Sequence, residues 1–88
     1  MPFLLINIKD VMPEFKYQVD GEPQETDKHE LTPNEILKKA GYDPQKYYLV
    51  EIEGQKQISF KDKGNEEIHM HEHMKFITVL IQGGVPLS

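Results

Sequence analysis

The sequence predicts an α+β fold: a mixed sheet of four to five strands with one helix packed across it. Three observations carry this. Residues 76–81, Phe-Ile-Thr-Val-Leu-Ile, form an unbroken run of aromatic, β-branched and aliphatic side chains, as a strand inside a sheet requires. Residues 14–20 alternate, with Phe15, Tyr17 and Val19 on one face and Glu14, Lys16, Gln18 and Asp20 on the other, the period of a half-buried strand. Between them, Leu31-Thr32-Pro33-Asn34-Glu35-Ile36 spells out a helix start, in which Thr32 caps, Pro33 suits the first turn and Glu35 completes a capping box.

The remaining elements are taken in chain order. Residues 3–8 can form a strand, but residues 10–13 break it from the alternating strand, so residues 1–13 read as an N-terminal extension. Its apolar start, Phe3, Leu4, Leu5 and Ile6, invites pairing with another chain, and a homo-oligomer is expected on that ground. Asp20-Gly21 is a hairpin signal, which Glu22-Pro23 is expected to close before a more polar strand over residues 24–29. Ile36, Leu37 and Ala40 form the buried stripe of the helix, Leu31 and Ile36 staple its start, and Lys38 and Lys39 suit the negative end of its dipole. Gly41 and Asp43-Pro44 end it. Residues 47–53 make the third strand, with Tyr47, Leu49 and Glu51 on one side and Tyr48, Val50 and Ile52 on the other. A polar turn at Gly54, a short strand over residues 57–60 and a charged loop over residues 61–67 lead to the last strand. Two strands, a helix, then three strands resolve most economically as a β-grasp, with the last strand central, parallel to the first and buried on both faces.

The chain is one small domain with room for a single core. At 38% apolar and 28% charged residues it has the make-up of a globular protein. It has no cysteine, which excludes disulfides, thiolate metal sites and cysteine nucleophiles. A net charge of −5 with no arginine argues against nucleic acid. The N-terminal apolar stretch has no basic start or small-residue cleavage site and is too short to span a membrane. No membrane association is expected, and the expected location is cytoplasmic.

Residues 31–49, LTPNEILKKAGYDPQKYYL, resemble the bacterial ubiquitin-like proteins grouped as multiubiquitin domains: a Thr-capped helix ending in Ala-Gly, an Asp-Pro turn and a Tyr-containing strand. Glu67-Ile68-His69-Met70 with Lys75-Phe76-Ile77-Thr78-Val79 is similar to the final segment of that family, and the resemblance spans roughly residues 15–79. It implies a ubiquitin-like fold over residues 14–82, a Gly-Gly tail over residues 83–88, and a protein modifier of a bacterial ubiquitination-like pathway rather than an enzyme. Such a modifier binds no cofactor itself; its activating enzyme adenylates the terminal glycine with ATP. A conjugating enzyme then carries it to target proteins, usually through an isopeptide bond. Gly83 and Gly84 stand where the terminal pair of ubiquitin stands, while Gln82 replaces the arginine before them. Val85-Pro86-Leu87-Ser88 follow Gly84, so conjugation through Gly84 requires cleavage between Gly84 and Val85, a task for a deubiquitinase-like metallopeptidase. The alternatives are a non-covalent interaction or self-assembly module and a sulfur carrier ending in a thiocarboxylate at Gly84.

Other constellations carry less. His69, His71 and His73 share a face if the chain is extended, and imidazoles so placed can hold a metal; no other ligand lies close in sequence, and a solvated strand edge or loop explains them. No metal site and no catalytic residue is assigned. Ser59 and Ser88 lack any triad context. Tyr42, Tyr47, Tyr48 and Phe60 either form an exposed aromatic patch for partners or cap the core.

Overall fold

A computed structural model of the chain describes residues 15–81. The N-terminal extension and the Gly-Gly tail lie outside the described residues. The chain runs as β1 (Phe15–Val19), β2 (Glu22–Thr26), β3 (Glu30–Leu31), α1 (Pro33–Lys39), β4 (Tyr47–Glu53), β5 (Lys56–Ser59), β6 (Ile68–His69) and β7 (Met74–Leu80). Five strands form a mixed sheet in the order β2-β1-β7-β4-β5, while β3 and β6 pair separately. β7 is central: parallel to β1, with Val19 opposite Phe76, and antiparallel to β4, from Ile52 opposite Lys75 to Tyr47 opposite Leu80. With α1 packed against one face, this is the expected α+β, β-grasp-like architecture.

The β1–β2 connection is two residues long, because Val19 pairs with Glu22. Asp20 (φ 53°) and Gly21 (φ 83°) both take positive φ, as the hairpin turn matching strand twist demands. Glu22 and Pro23, expected to close the turn, already belong to β2, whose outer edge asks no hydrogen bond of the proline. The strand expected over residues 24–29 is also divided. Lys28 N donates to Thr26 Oγ1 at 3.1 Å, a local bond that draws the chain off the ladder; β3 then pairs with β6.

The helix is the element its sequence dictates. Glu35 N donates to Thr32 Oγ1 at 3.2 Å, and Thr32 N donates to Glu35 Oε1 at 2.9 Å, the reciprocal capping box. At the other end Gly41 takes φ 91°. Gly41 N donates to Lys38 O at 3.0 Å and Tyr42 N to Leu37 O at 2.9 Å, the paired bonds of a Schellman stop. Seven residues are too few for a stable isolated helix, so burial of Ile36 and Leu37 against Tyr17, Val19, Leu49 and Phe76 holds it in place.

One expectation fails in an informative way. β7 is buried on its helix side, with Met74 and Phe76 at 4% and 1% exposure, but Ile77 on the other side is 37% exposed. One helix covers one face, and nothing among the described residues covers the other. The strand after Gly54 spans Lys56–Ser59 rather than residues 57–60, because Phe60 leaves it to enter the core, its N–H donating to Leu49 O at 2.9 Å.

Candidate functional site

Two features of β7 define the candidate site: how its C-terminal end leaves the body, and the face it leaves uncovered. β1 ends at Val19, so beyond Phe76 the strand loses its parallel neighbour. Asp20 takes over. Its N–H donates to Phe76 O at 2.9 Å, its Oδ1 accepts from Thr78 N at 3.0 Å, and its Oδ2 accepts from Thr78 Oγ1 at 2.6 Å. Tyr42 O–H, just past the helix stop, donates to the same Oδ2 at 2.8 Å. One turn carboxylate thus ties the hairpin, the helix end and the central strand together. Partial burial pushes the Asp20 carboxyl up, but the bonds from Thr78 and Tyr42 outweigh it and hold it below its ordinary value. The same contact raises the Tyr42 hydroxyl.

On its other edge β7 stays paired with β4 as far as Leu80, and Ile81 N donates to Lys46 O at 2.8 Å. Leu80 is 51% exposed. The last anchored residue therefore stands two positions before Gly83 in the sequence. Gly83 and Gly84, expected for conjugation, and Val85, expected for processing, lie outside the described residues. So do Phe3, Leu4, Leu5 and Ile6, expected to mediate self-association.

The uncovered face pairs Val50 with Ile77, Tyr48 with Val79 and Ile52 with Lys75 across β4 and β7. Lys16, Gln18 and Lys75 edge this apolar strip on the β1 side. Lys61 Nζ sits 5.9 Å from the Tyr48 ring centroid, a cation–π contact. The aromatic residues expected as one patch are divided: Phe60 is buried in the core, Tyr42 and Tyr47 meet edge to face at 5.0 Å, and only Tyr48 faces outward.

The three histidines are not brought together on an extended face. His69 lies in β6 with Nδ1 3.3 Å from Glu30 Oε2, whereas His73 takes φ 65° in the turn before β7. Among the described residues no group of three or more His, Cys, Asp or Glu side chains is placed to hold a metal ion. His71 bears instead on Glu51, which is 7% exposed on the core side of β4. Burial raises the Glu51 carboxyl and Glu53 adds to the rise, while His71 opposes it. Ser59 Oγ is occupied in a turn, accepting from Lys61 N at 3.2 Å.

No helix among the described residues is long and apolar enough to cross a membrane. No protein-family model matches this chain, and comparisons with curated proteins and with solved structures return no match either.

Proposed function

We propose that this chain is a ubiquitin-like protein modifier, attached to target proteins through Gly84. A metallopeptidase first cleaves the Gly84–Val85 bond. An activating enzyme then joins the freed carboxylate to ATP, releasing pyrophosphate. A thiol displaces AMP to form a thioester, and a target amine displaces the thiol to give the amide. The chain supplies no catalytic group in this sequence. It supplies a rigid body and a slender terminus, because glycines without a β-carbon pass through a narrow channel that bulkier residues would block.

The observation that supports this most is the anchoring of β7. The body is fixed through Ile81, held by Asp20 on one edge and Lys46 on the other. Gly83-Gly84 come next but one in the sequence, so a short reach from an ordered surface delivers them. The outer face of β4 and β7 favours a second reading, a non-covalent interaction module that presents Ile77, 37% exposed, to partners.

Mass spectrometry separates the two. Incubation with a deubiquitinase-like metallopeptidase should remove Val85 to Ser88. The product, mixed with ATP and the adenylating enzyme, should then form a thioester sensitive to hydroxylamine. Gly84→Trp should abolish the second step. An intact mass after the first incubation would leave the interaction module as the better reading.

A further inference from the structure

We infer that the cleft at the end of the sheet where β7 begins, with Glu51 and Glu53 in its wall, binds an arginine side chain carried by a partner protein. The two glutamates stand two positions apart on β4, so their side chains leave the same face, about 7 Å apart along the strand. Glu51 is 7% exposed, placed between Ile58 on β5 and Phe76 on β7. It lines an open cleft of about 260 Å³ that Glu53, His71, His73 and Lys75 also border. Among the described residues, the carboxylates that accept hydrogen bonds are those of Asp20, Glu35, Asp43 and Glu72, and the one ion pair joins His69 to Glu30. Glu51 is in neither group. Lys56 stands across from Glu53, and Lys75 stands across from Ile52, on the opposite face from Glu51; neither closes on a carboxylate. Tyr17 carries the only sealed side-chain polar atom without a partner among the described residues, so the unpartnered oxygens of Glu51 keep an opening to the cleft.

A carboxylate taken out of water without a cation destabilises the fold that holds it, and a cationic ligand removes that cost. A metal ion does not suit the cleft, because no three His, Cys, Asp or Glu side chains among the described residues are placed to hold one. A guanidinium does. Its planar fork of N–H donors reaches two carboxylates at once, whereas an ammonium is a compact point charge. Ile52 and Met74 in the walls offer apolar surface to the methylene stem behind it. The ten basic residues of this chain are all lysine, so the arginine comes from a different protein and not from a second copy. A net charge of −5 draws a basic partner toward it. The cleft lies at the opposite end of β7 from Ile81, so an occupant leaves the C-terminal end of the strand clear. The inference does not depend on the fate of Gly84.

The test is a titration of the full isotope-labelled chain with the peptide acetyl-Gly-Arg-Gly-amide, followed by NMR. The signals of Glu51, Glu53, Gly54 and His71 should shift and saturate together in the millimolar range. The same peptide with citrulline, which has the shape of arginine without its charge, should give no saturable shift, and the lysine peptide should bind several-fold more weakly. Glu51→Gln removes an unpaired buried charge and so keeps the fold; it should weaken the arginine peptide at least about tenfold, as expected for losing a hydrogen bond to a charged group. Glu67→Gln, at an exposed carboxylate outside the cleft, should leave the affinity unchanged. Citrulline or lysine peptides that bind as well as the arginine peptide would overturn the inference. So would full affinity in Glu51→Gln, or the absence of any saturable shift in the unaltered chain.

Discussion

Asp20 and Thr78 are joined twice, through the backbone N–H and the hydroxyl of the threonine, at 3.0 and 2.6 Å. The two residues are 58 positions apart, one in the first hairpin turn and the other in the last strand. The bond closes the sheet where β1 has run out of residues.

Asp20→Asn tests this tie without disturbing the turn, since asparagine also tolerates positive φ. The carboxylate is solvent-accessible, so the loss should be modest, about 1 kcal/mol at neutral pH. The sign of its pH dependence follows from the lowered carboxyl. The unfolded chain takes up the proton first, so the contribution is complete above the unfolded carboxylate range and fades as pH falls through the folded value. Urea unfolding of both proteins should therefore diverge at neutral pH and converge in acid.

Glu51 should behave in the opposite sense. Its carboxyl is raised, chiefly by burial, so the folded state holds the proton longer than the unfolded one. Stability falls as pH rises from the unfolded value through the folded one, and the penalty is complete above that. Glu51→Gln should raise the melting temperature at neutral pH by a few degrees, and the gain should disappear in acid. Thermal unfolding across that range checks it.

Tyr17 packs edge to face on Phe76 with ring centroids 5.9 Å apart. Its buried hydroxyl finds no hydrogen-bond partner among the described residues. Tyr17→Phe keeps the ring contact and removes the unpaired group, so it should be neutral or stabilising by up to about 1 kcal/mol. A loss of more than that in denaturant unfolding would mean the hydroxyl has a partner after all.

Gly41 isolates a backbone effect. A Cβ there would meet nothing within 4 Å, yet φ is +91°. Gly41→Ala should cost about 1–2 kcal/mol through strain alone, and Gly41→Asn less. Circular dichroism during thermal unfolding should rank the three proteins in that order.

The parts of this fold legible in the sequence are those set by neighbours in the chain. Thr32 and Glu35 cap each other across three positions, and Gly41 stops the helix, so α1 follows from local chemistry alone. The central place of β7 was legible from its apolar run, but its burial was not. A continuous run is equally compatible with one covered face or two, and only counting the covering layers decides. The division of residues 24–29 into β2 and β3 depends on Ile68 arriving from far along the chain to pair with Leu31. The tie between Asp20 and Thr78 was hidden for the same reason: Asp-Gly announces a turn, but not which distant strand the aspartate will hold. Of the candidate site, the glycine pair was visible in the sequence, whereas the uncovered face needed the sheet order.

The parallel pairing of β1 with β7 also determines how the molecule bears load. The chain enters β1 at one end of the sheet and leaves β7 at the other, so a pull on its two ends slides these neighbours past each other. Their hydrogen bonds, and the Asp20 tie beside them, are then strained together instead of peeling apart singly. A motor dragging this domain by its C-terminus therefore meets its stiffest resistance at the first strand it must displace.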